Sequence, residues 1–242
     1  MDFKNIKGII FDYGGTIDSG GDHWSEVIWS AWQEAGVPAS KEEFREVYVW
    51  TERELAKTRH ILPEHNFHDL LLIKMRLELN RLAELRREGG KPDLLLEGAL
   101  EDYAKTTAAF CYASARSWVE KARPVLEHLA AKYPLVLVSN FYGNVETVLA
   151  DFDLARYFRK VVESAVVGVR KPDPKIFALG VEALGLKPEE VLVVGDSLSK
   201  DILPAESLGC QTAWLKGKGW TAEEDAKTHP SQISSLDTLL AL

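Results

Sequence analysis

The chain has 242 residues, with 29 Lys and Arg against 37 Asp and Glu, a formal charge of −8, and 46% apolar residues. This composition excludes a disordered or collagen-like chain, and the length suits one large α/β unit or a core carrying a substantial insertion. The acidic balance excludes a general nucleic-acid binder, which needs clustered Lys and Arg to meet phosphates, and no run approaches the ~18 apolar residues of a membrane span.

The first predicted element is the run Lys7–Phe11 (KGIIF), too short for the apolar region of a secretion signal and followed at once by Asp12, so a cytoplasmic location is expected. Asp22 is the expected cap of a helix with Trp24, Val27, Ile28, Ala31, Trp32 and Ala35 on one side, ended by Gly36-Val37-Pro38. Ser40 and Glu43 form a capping box for a second helix. Asn66 opens a long third helix with Phe67, Leu70, Leu71, Leu77, Leu82 and Leu85, closed by Gly89-Gly90-Lys91-Pro92, and a fourth is expected from about Leu96 to Ala115. From residue 19 to 118, then, the pattern is helical without a convincing strand.

Beyond it the pattern alternates. Short runs at Pro134–Val138 (PLVLV), Glu190–Val194 (EVLVV) and Gln211–Leu215 (QTAWL), with a weaker one at Lys160–Glu163, are separated by helical stretches such as Pro174–Leu184 and Lys200–Leu208. Nearly continuous apolar runs are what a parallel sheet covered on both faces requires. The fold class expected is α/β, a doubly wound parallel sheet with the first strand central and an all-helical insertion. The domains expected are a core of residues 1–18 and 119–242 and a cap of residues 19–118. Cys111 and Cys210 lie far apart in apolar surroundings and are expected as free thiols.

In open parallel sheets ligands bind beyond the carboxyl ends of the strands. There the first run gives Asp12-Tyr13-Gly14-Gly15-Thr16, the second Ser139-Asn140, and the run ending at Val194 gives Gly195-Asp196, with Asp201 shortly after. Lys171 stands before Pro172 in a rigid turn. Each residue alone has an ordinary reading as a turn, a helix cap or a solvated charge. Together, three carboxylates, hydroxyls and a lysine suit Mg²⁺ bound through oxygen with a phosphate beside it. Asp12, followed by glycines that leave room for a phosphoryl group, is the expected nucleophile for an aspartyl-phosphate. Thr16 and Ser139, with main-chain N–H groups around Gly15 and Asn140, are expected to hold phosphate oxygens, Lys171 to supply fixed charge, and Asp196 and Asp201 to hold the metal.

These pieces, Asp12 to Thr16, Ser139-Asn140, Lys171-Pro172 and Gly195-Asp196 with Asp201, resemble in order and spacing the haloacid dehalogenase superfamily, and the resemblance runs from Gly8 to about Leu215. It implies that the helical insertion is the family's type-one cap, whose closure excludes water and selects substrate. It implies a Mg²⁺-dependent hydrolase, a phosphatase of small phosphorylated metabolites, acting as monomer or homodimer, with no nucleic-acid or membrane partner. In such enzymes the second residue after the nucleophile binds Mg²⁺ through its main-chain carbonyl, which Gly14 retains.

The same position usually carries an aspartate that protonates the leaving oxygen, and Gly14 cannot do so. Loss of such an acid typically costs about 10²–10⁴-fold. Three readings meet this departure: a phosphatase of good leaving groups or with an acid recruited from elsewhere; a dehalogenase- or phosphonatase-like hydrolase; or a weakly active or non-catalytic metal-binding protein. Asp196 and Asp201 count against a dehalogenase, which needs no metal. A phosphonatase needs a cap lysine for a Schiff base, and Lys57 and Lys74, on charge-rich helices, are expected as solvated side chains.

Other candidates are discounted. His60, His65 and His68 offer a metal site or a substitute acid, but they span a proline-containing break and read as a polar loop. Gly217 to Ala222 matches a dinucleotide fingerprint only nominally, because no helix packed on the sheet follows. Trp24, Trp29, Trp32 and Trp50 read as packing residues within the cap rather than a substrate pocket.

Overall fold

In the computed structural model, which describes residues 3–90 and 97–242, the GIIF run forms β1 (Gly8–Phe11), buried at every position. Its side chains leave on both faces: Ile9 and Phe11 enter one apolar cluster and Ile10 another. Burial on both sides is why the run shows no polar alternation. β2 (Leu135–Ser139), β4 (Val191–Gly195) and β5 (Gln211–Leu215) follow the same rule. β3 (Phe158–Glu163) is more exposed, which accounts for its weaker signal.

With β6 (Gln232–Ile233), a two-residue edge that no apolar run announced, these strands make one sheet in the order β3-β2-β1-β4-β5-β6. Every pair is parallel. The order reverses at β1, where β2 and β3 lie to one side and β4 to β6 to the other. That reversal opens a crevice beyond the carboxyl ends of β1 and β4, the position at which doubly wound sheets bind ligands.

Between β1 and β2 come α1 (Trp24–Glu34), α2 (Lys41–Lys57), α3 (Phe67–Glu88) and α4 (Glu97–Ala130). The capping box of Ser40 and Glu43 is present on α2, and Asn66 with Asp69 forms a second one on α3. α1 is capped by His23 rather than Asp22. The His23 ring accepts from the Ser25 N–H at 3.2 Å, while Asp22 accepts from the main chain of Lys218 at 2.7 Å, which holds the entry to the insertion against the loop after β5. α3 ends at Gly89; the expected stop at Lys91-Pro92 and the expected fourth-helix start at Leu96 lie outside the described residues.

α4 does not stop near Ala115 but continues to Ala130, with Pro124 inside it. One face carries Ala104, Ala108, Cys111, Ala115, Val119, Ala122, Leu126 and Leu129, all 3% exposed or less. The stripe keeps helical spacing throughout, so the burial of one face, rather than strong hydrophobicity, sustains the helix. α5 (Val145–Asp151), α6 (Ser164–Val167) and α7 (Lys175–Leu184) connect β2, β3 and β4. The helix expected over Lys200–Leu208 is a wide turn over Leu198–Ile202 followed by the short α8 (Leu203–Ser207). After β5, α9 (Ala222–Ala226) buries no residue, in keeping with the accidental fingerprint there. Cys111 and Cys210 are buried free thiols. No described helix is long and apolar enough to cross a membrane.

Candidate active site

The N–H of Asp12 donates to the Val194 carbonyl at 2.9 Å, continuing the pairing of β1 with β4 by one residue, so its side chain opens at the crevice. Asp196 follows the end of β4, and Asp201 lies in the wide turn after it, where Oδ2 accepts the Ser197 N–H at 2.9 Å. One oxygen from each of Asp12, Asp196 and Asp201 lies within 4.8 Å of the others. Two glycines permit this approach. Gly15 has φ +95°, and a Cβ there would stand 2.4 Å from the Asp196 carboxylate; a Cβ on Gly195 would stand 2.5 Å from the Cβ of Asp201 and 2.6 Å from its carboxylate carbon.

Lys171 Nζ reaches Asp12 Oδ1 at 2.7 Å and Asp201 Oδ1 at 2.6 Å. Burial opposes the ammonium charge, but the carboxylates of Asp12 and Asp201 more than reverse this and raise its pKa. The Asp196 carboxyl is pushed well up by burial and by the charges of Asp201 and Asp12. Asp201 is raised by burial, against the pull of Lys171. One lysine therefore balances three crowded carboxylates incompletely, and an all-oxygen set of this kind fits a hard divalent cation. On that test the residues suit Mg²⁺.

The remaining expected site residues surround this group in different ways. Thr16 Oγ1 donates to Asp196 Oδ1 at 2.9 Å. Gly14 and Gly15 line the crevice, but the Gly15 N–H is engaged by Asp18 Oδ1 at 2.7 Å. Asn140 braces the lysine turn: its Oδ1 accepts from Lys171 N–H at 2.9 Å and its Nδ2 donates to Lys171 O at 3.1 Å. Ser139 is buried at the end of β2 and is not among the residues lining the cleft.

The insertion closes this crevice into a cleft of about 900 Å³. Lys74 on α3 corrects the expectation of a solvated side chain: it is 4% exposed, paired with Glu52 of α2, and 4.7 Å from the Tyr48 ring centroid. Lys57 is exposed as expected. Burial opposes the Lys74 charge, yet Glu52 holds the ammonium well above the usual lysine range. Tyr142, two residues past Asn140, donates to the Glu52 carboxylate at 3.2 Å and joins sheet to insertion. Tyr13 adds an aromatic join, edge-on to Phe67 of α3 at 6.1 Å and to Phe141 at 5.7 Å.

The three histidines do not converge. His60 pairs with Glu54 at 2.9 Å, His65 accepts from the Leu62 N–H at 3.0 Å, and His68 meets the Tyr112 ring edge-on. Among the described residues the only His, Cys, Asp and Glu group suited to a metal is Asp12, Asp196 and Asp201. Trp29 and Trp32 pack on Phe44, and Arg81 lies over Trp50, as packing residues do, whereas Trp24 lines the cleft.

Glu78, one turn beyond Lys74, is fully buried, and among the described residues neither of its oxygens meets a donor. Burial pushes its carboxyl up to about 8. Between the ordinary glutamate range and that value the folded chain holds a proton that the unfolded chain has lost, so stability falls as pH rises through the window. Glu78→Gln, neutral throughout, is expected to make the fall from about pH 5 to about pH 8 shallower, by up to about 1.4 kcal/mol per pH unit. Urea denaturation of both proteins across that range checks this, and parallel curves would show that Glu78 is not the group responsible.

A switch-point crevice holding carboxylates and a lysine beneath a helical insertion defines an α/β protein with an inserted helical unit over its cleft. The model of the haloacid dehalogenase-like hydrolase family matches residues 6–209, and the chain belongs to that family. It is 44% identical over 64 residues to a glyceraldehyde 3-phosphate phosphatase of Pyrococcus furiosus, 26% of this chain and 27% of that protein. It is 30% identical over 132 residues to a phosphoserine phosphatase of Thermus thermophilus, 54% of this chain and 51% of that protein. These matches span about a quarter and about half of the relatives' lengths. Among solved structures, the putative HAD-hydrolase YfnB from Bacillus subtilis bound to magnesium superposes with a TM-score of 0.58 over 98% of both chains at 17% identity, a likeness of fold.

Proposed function

We propose that the protein is a Mg²⁺-dependent, cytoplasmic phosphatase of small phosphorylated metabolites that works through an aspartyl-phosphate on Asp12. The observation that carries this reading is the cluster itself, three carboxylates within 4.8 Å joined by the Lys171 ammonium at 2.7 Å from Asp12. The phosphatase names of the two relatives agree with it. Mg²⁺ held by Asp12, Asp196, Asp201 and the Gly14 carbonyl would neutralise charge on the phosphoryl oxygens. Asp12 attacks phosphorus in line, and the Lys171 ammonium offsets charge on the equatorial oxygens. Thr16 orients Asp196 and Asn140 orients Lys171. Lys57, Arg59, Arg170 and Lys200 around the cleft favour entry of an anion although the chain as a whole is acidic.

The cap in this reading is residues 19–118 and the core residues 1–18 and 119–242, with α4 running through the join at residue 118. A Schiff-base route to carbon–phosphorus cleavage is disfavoured, because a Lys74 held as ammonium by Glu52 has no lone pair for a carbonyl. The test is release of inorganic phosphate from an aryl phosphate and from a panel of sugar and nucleotide phosphates, with Mg²⁺ and with chelator. Metal-dependent turnover is expected. No release from any of them would leave the protein a non-catalytic member of its family.

A further inference from the structure

Resting on the phosphatase reading, we infer that Asp18 is the proton donor to the leaving group, in place of the acid that Gly14 cannot supply. Asp18 lies on the loop that carries Asp12 and Gly14 and lines the same cleft. Its carboxyl is 1% exposed and oriented by two donors on one oxygen: Oδ1 accepts the Gly15 N–H at 2.7 Å and the Trp24 indole N–H at 3.0 Å. Oδ2 meets no donor among the described residues. An oxygen that accepts two hydrogen bonds is the carbonyl-like one, so the proton of the neutral acid belongs on Oδ2, the atom without a protein partner. Trp24 opens α1, so the insertion itself takes part in setting this acid.

The charges around Asp18 favour the protonated form. Burial brings its carboxyl up to about 7 against the hydrogen bonds from Gly15 and Trp24, which pull it down, with the negative charge of Asp12 adding a smaller push upward, so that near neutrality both acid and conjugate base are present. The titratable groups on the elements holding it are Asp12, Tyr13 and Asp22 on its own loop, His23 ahead of α1, and Glu26 and Glu34 on α1, of which Glu26 is paired with Lys41 and Lys218 at 2.7 Å. The Tyr13 phenol is raised by burial and by Asp18, and His23 is lowered to about 4 by burial and is neutral. Across the cleft Lys74 and Glu52 neutralise each other. At Gly14 itself a Cβ would meet nothing within 4 Å, so the place of a family-type acid is open rather than filled by other atoms.

The proton accounting closes. As the Asp12 carboxylate forms its bond to phosphorus and the ester P–O bond breaks, the Asp18 O–H proton passes to the departing oxygen, which leaves as an alcohol. Water then attacks the aspartyl-phosphate while the Asp18 carboxylate takes one of its protons. Asp12 is released as carboxylate, phosphate departs, and Asp18 is again the acid.

Asp18→Asn tests this while sparing the loop, because the amide oxygen still accepts from Gly15 and Trp24 and only the transferable proton is lost. The expected result is a fall of about 10²-fold or more with alkyl phosphates, whose leaving groups need protonation, and a change of only a few-fold with an aryl phosphate. The decline of kcat/KM on the alkaline side should vanish, and Gly14→Asp in the Asp18→Asn background should restore much of the alkyl activity. Equal losses on both esters, or none, would overturn the assignment in favour of a purely structural Asp18. Carboxyl titration of the ¹³C-aspartate-labelled protein is expected to show one group near 7 that Asp18→Asn removes; its absence would also overturn it. No phosphate release by the unmodified protein would overturn the phosphatase reading itself, whereas release indifferent to Asp18→Asn would remove only the acid.

Discussion

Asp12→Asn is expected to lower phosphate release by about 10⁴-fold or more, the scale on which loss of a nucleophile is felt, and to leave the fold intact. The amide lacks the charge and the lone-pair basicity to attack phosphorus. Structurally the exchange is mild, because the side chain keeps its shape and Lys171 keeps Asp201 at 2.6 Å. One of three crowded negative charges also disappears, so the unfolding midpoint in chelator should be unchanged or raised. Phosphate release and denaturation measured on the same preparation separate loss of chemistry from loss of fold. An unchanged rate would remove Asp12 as nucleophile.

Lys171→Met should damage both. The ammonium is the sole protein cation paired to Asp12 and Asp201 among the described residues, with side-chain exposures of 2%, 10% and 1% for the three groups. Removing one member of a buried ion pair leaves uncompensated charge, a loss of about 3–5 kcal/mol. Turnover should fall by about 10²–10³-fold as a fixed charge aimed at the phosphoryl oxygens is lost. Added Mg²⁺ should recover part of the stability, since a cation that binds only the folded cluster contributes about 2.7 kcal/mol at a hundred times its Kd. Urea titration with Mg²⁺ and with chelator checks both parts. A variant as stable as the parent in chelator would show that the ion pairs contribute nothing net.

The central sheet was legible because β1, β2, β4 and β5 are buried on both faces, which writes a continuous apolar run into the sequence. The carboxylates of the proposed site were legible for the same reason, whereas Lys171 was read from the rigid turn before Pro172. A polar residue just past such a run lies at a strand's carboxyl end, and Asp12, Asp196, Asp201 and Lys171 meet there. α4 was read too short because Pro124 looks like a stop, although Val119, Leu126 and Leu129 carry its buried face on past Ala115. β6 is two residues long and carries no pattern at all.

What stayed hidden depends on long-range meeting of residues. Nothing local in α2 or α3 says that Glu52 and Lys74 pair, or that Tyr142, 90 residues on, closes the set. Asn140 reads as a phosphate-loop residue and serves as the brace of the Lys171 turn. Nothing in the sequence singles out Asp18, one of whose oxygens Trp24 and Gly15 hold in the fold. His60, His65 and His68 are the converse case, close in sequence and dispersed to separate partners.

The claim tested most directly by one measurement is the covalent role of Asp12. The protein is mixed with an aryl phosphate and Mg²⁺, quenched in acid within the first turnovers, digested and weighed by mass spectrometry. The account predicts one added phosphoryl group on the peptide containing Asp12, absent from Asp12→Asn. Phosphate released in the same samples without that label, or with the label on another residue, would contradict it.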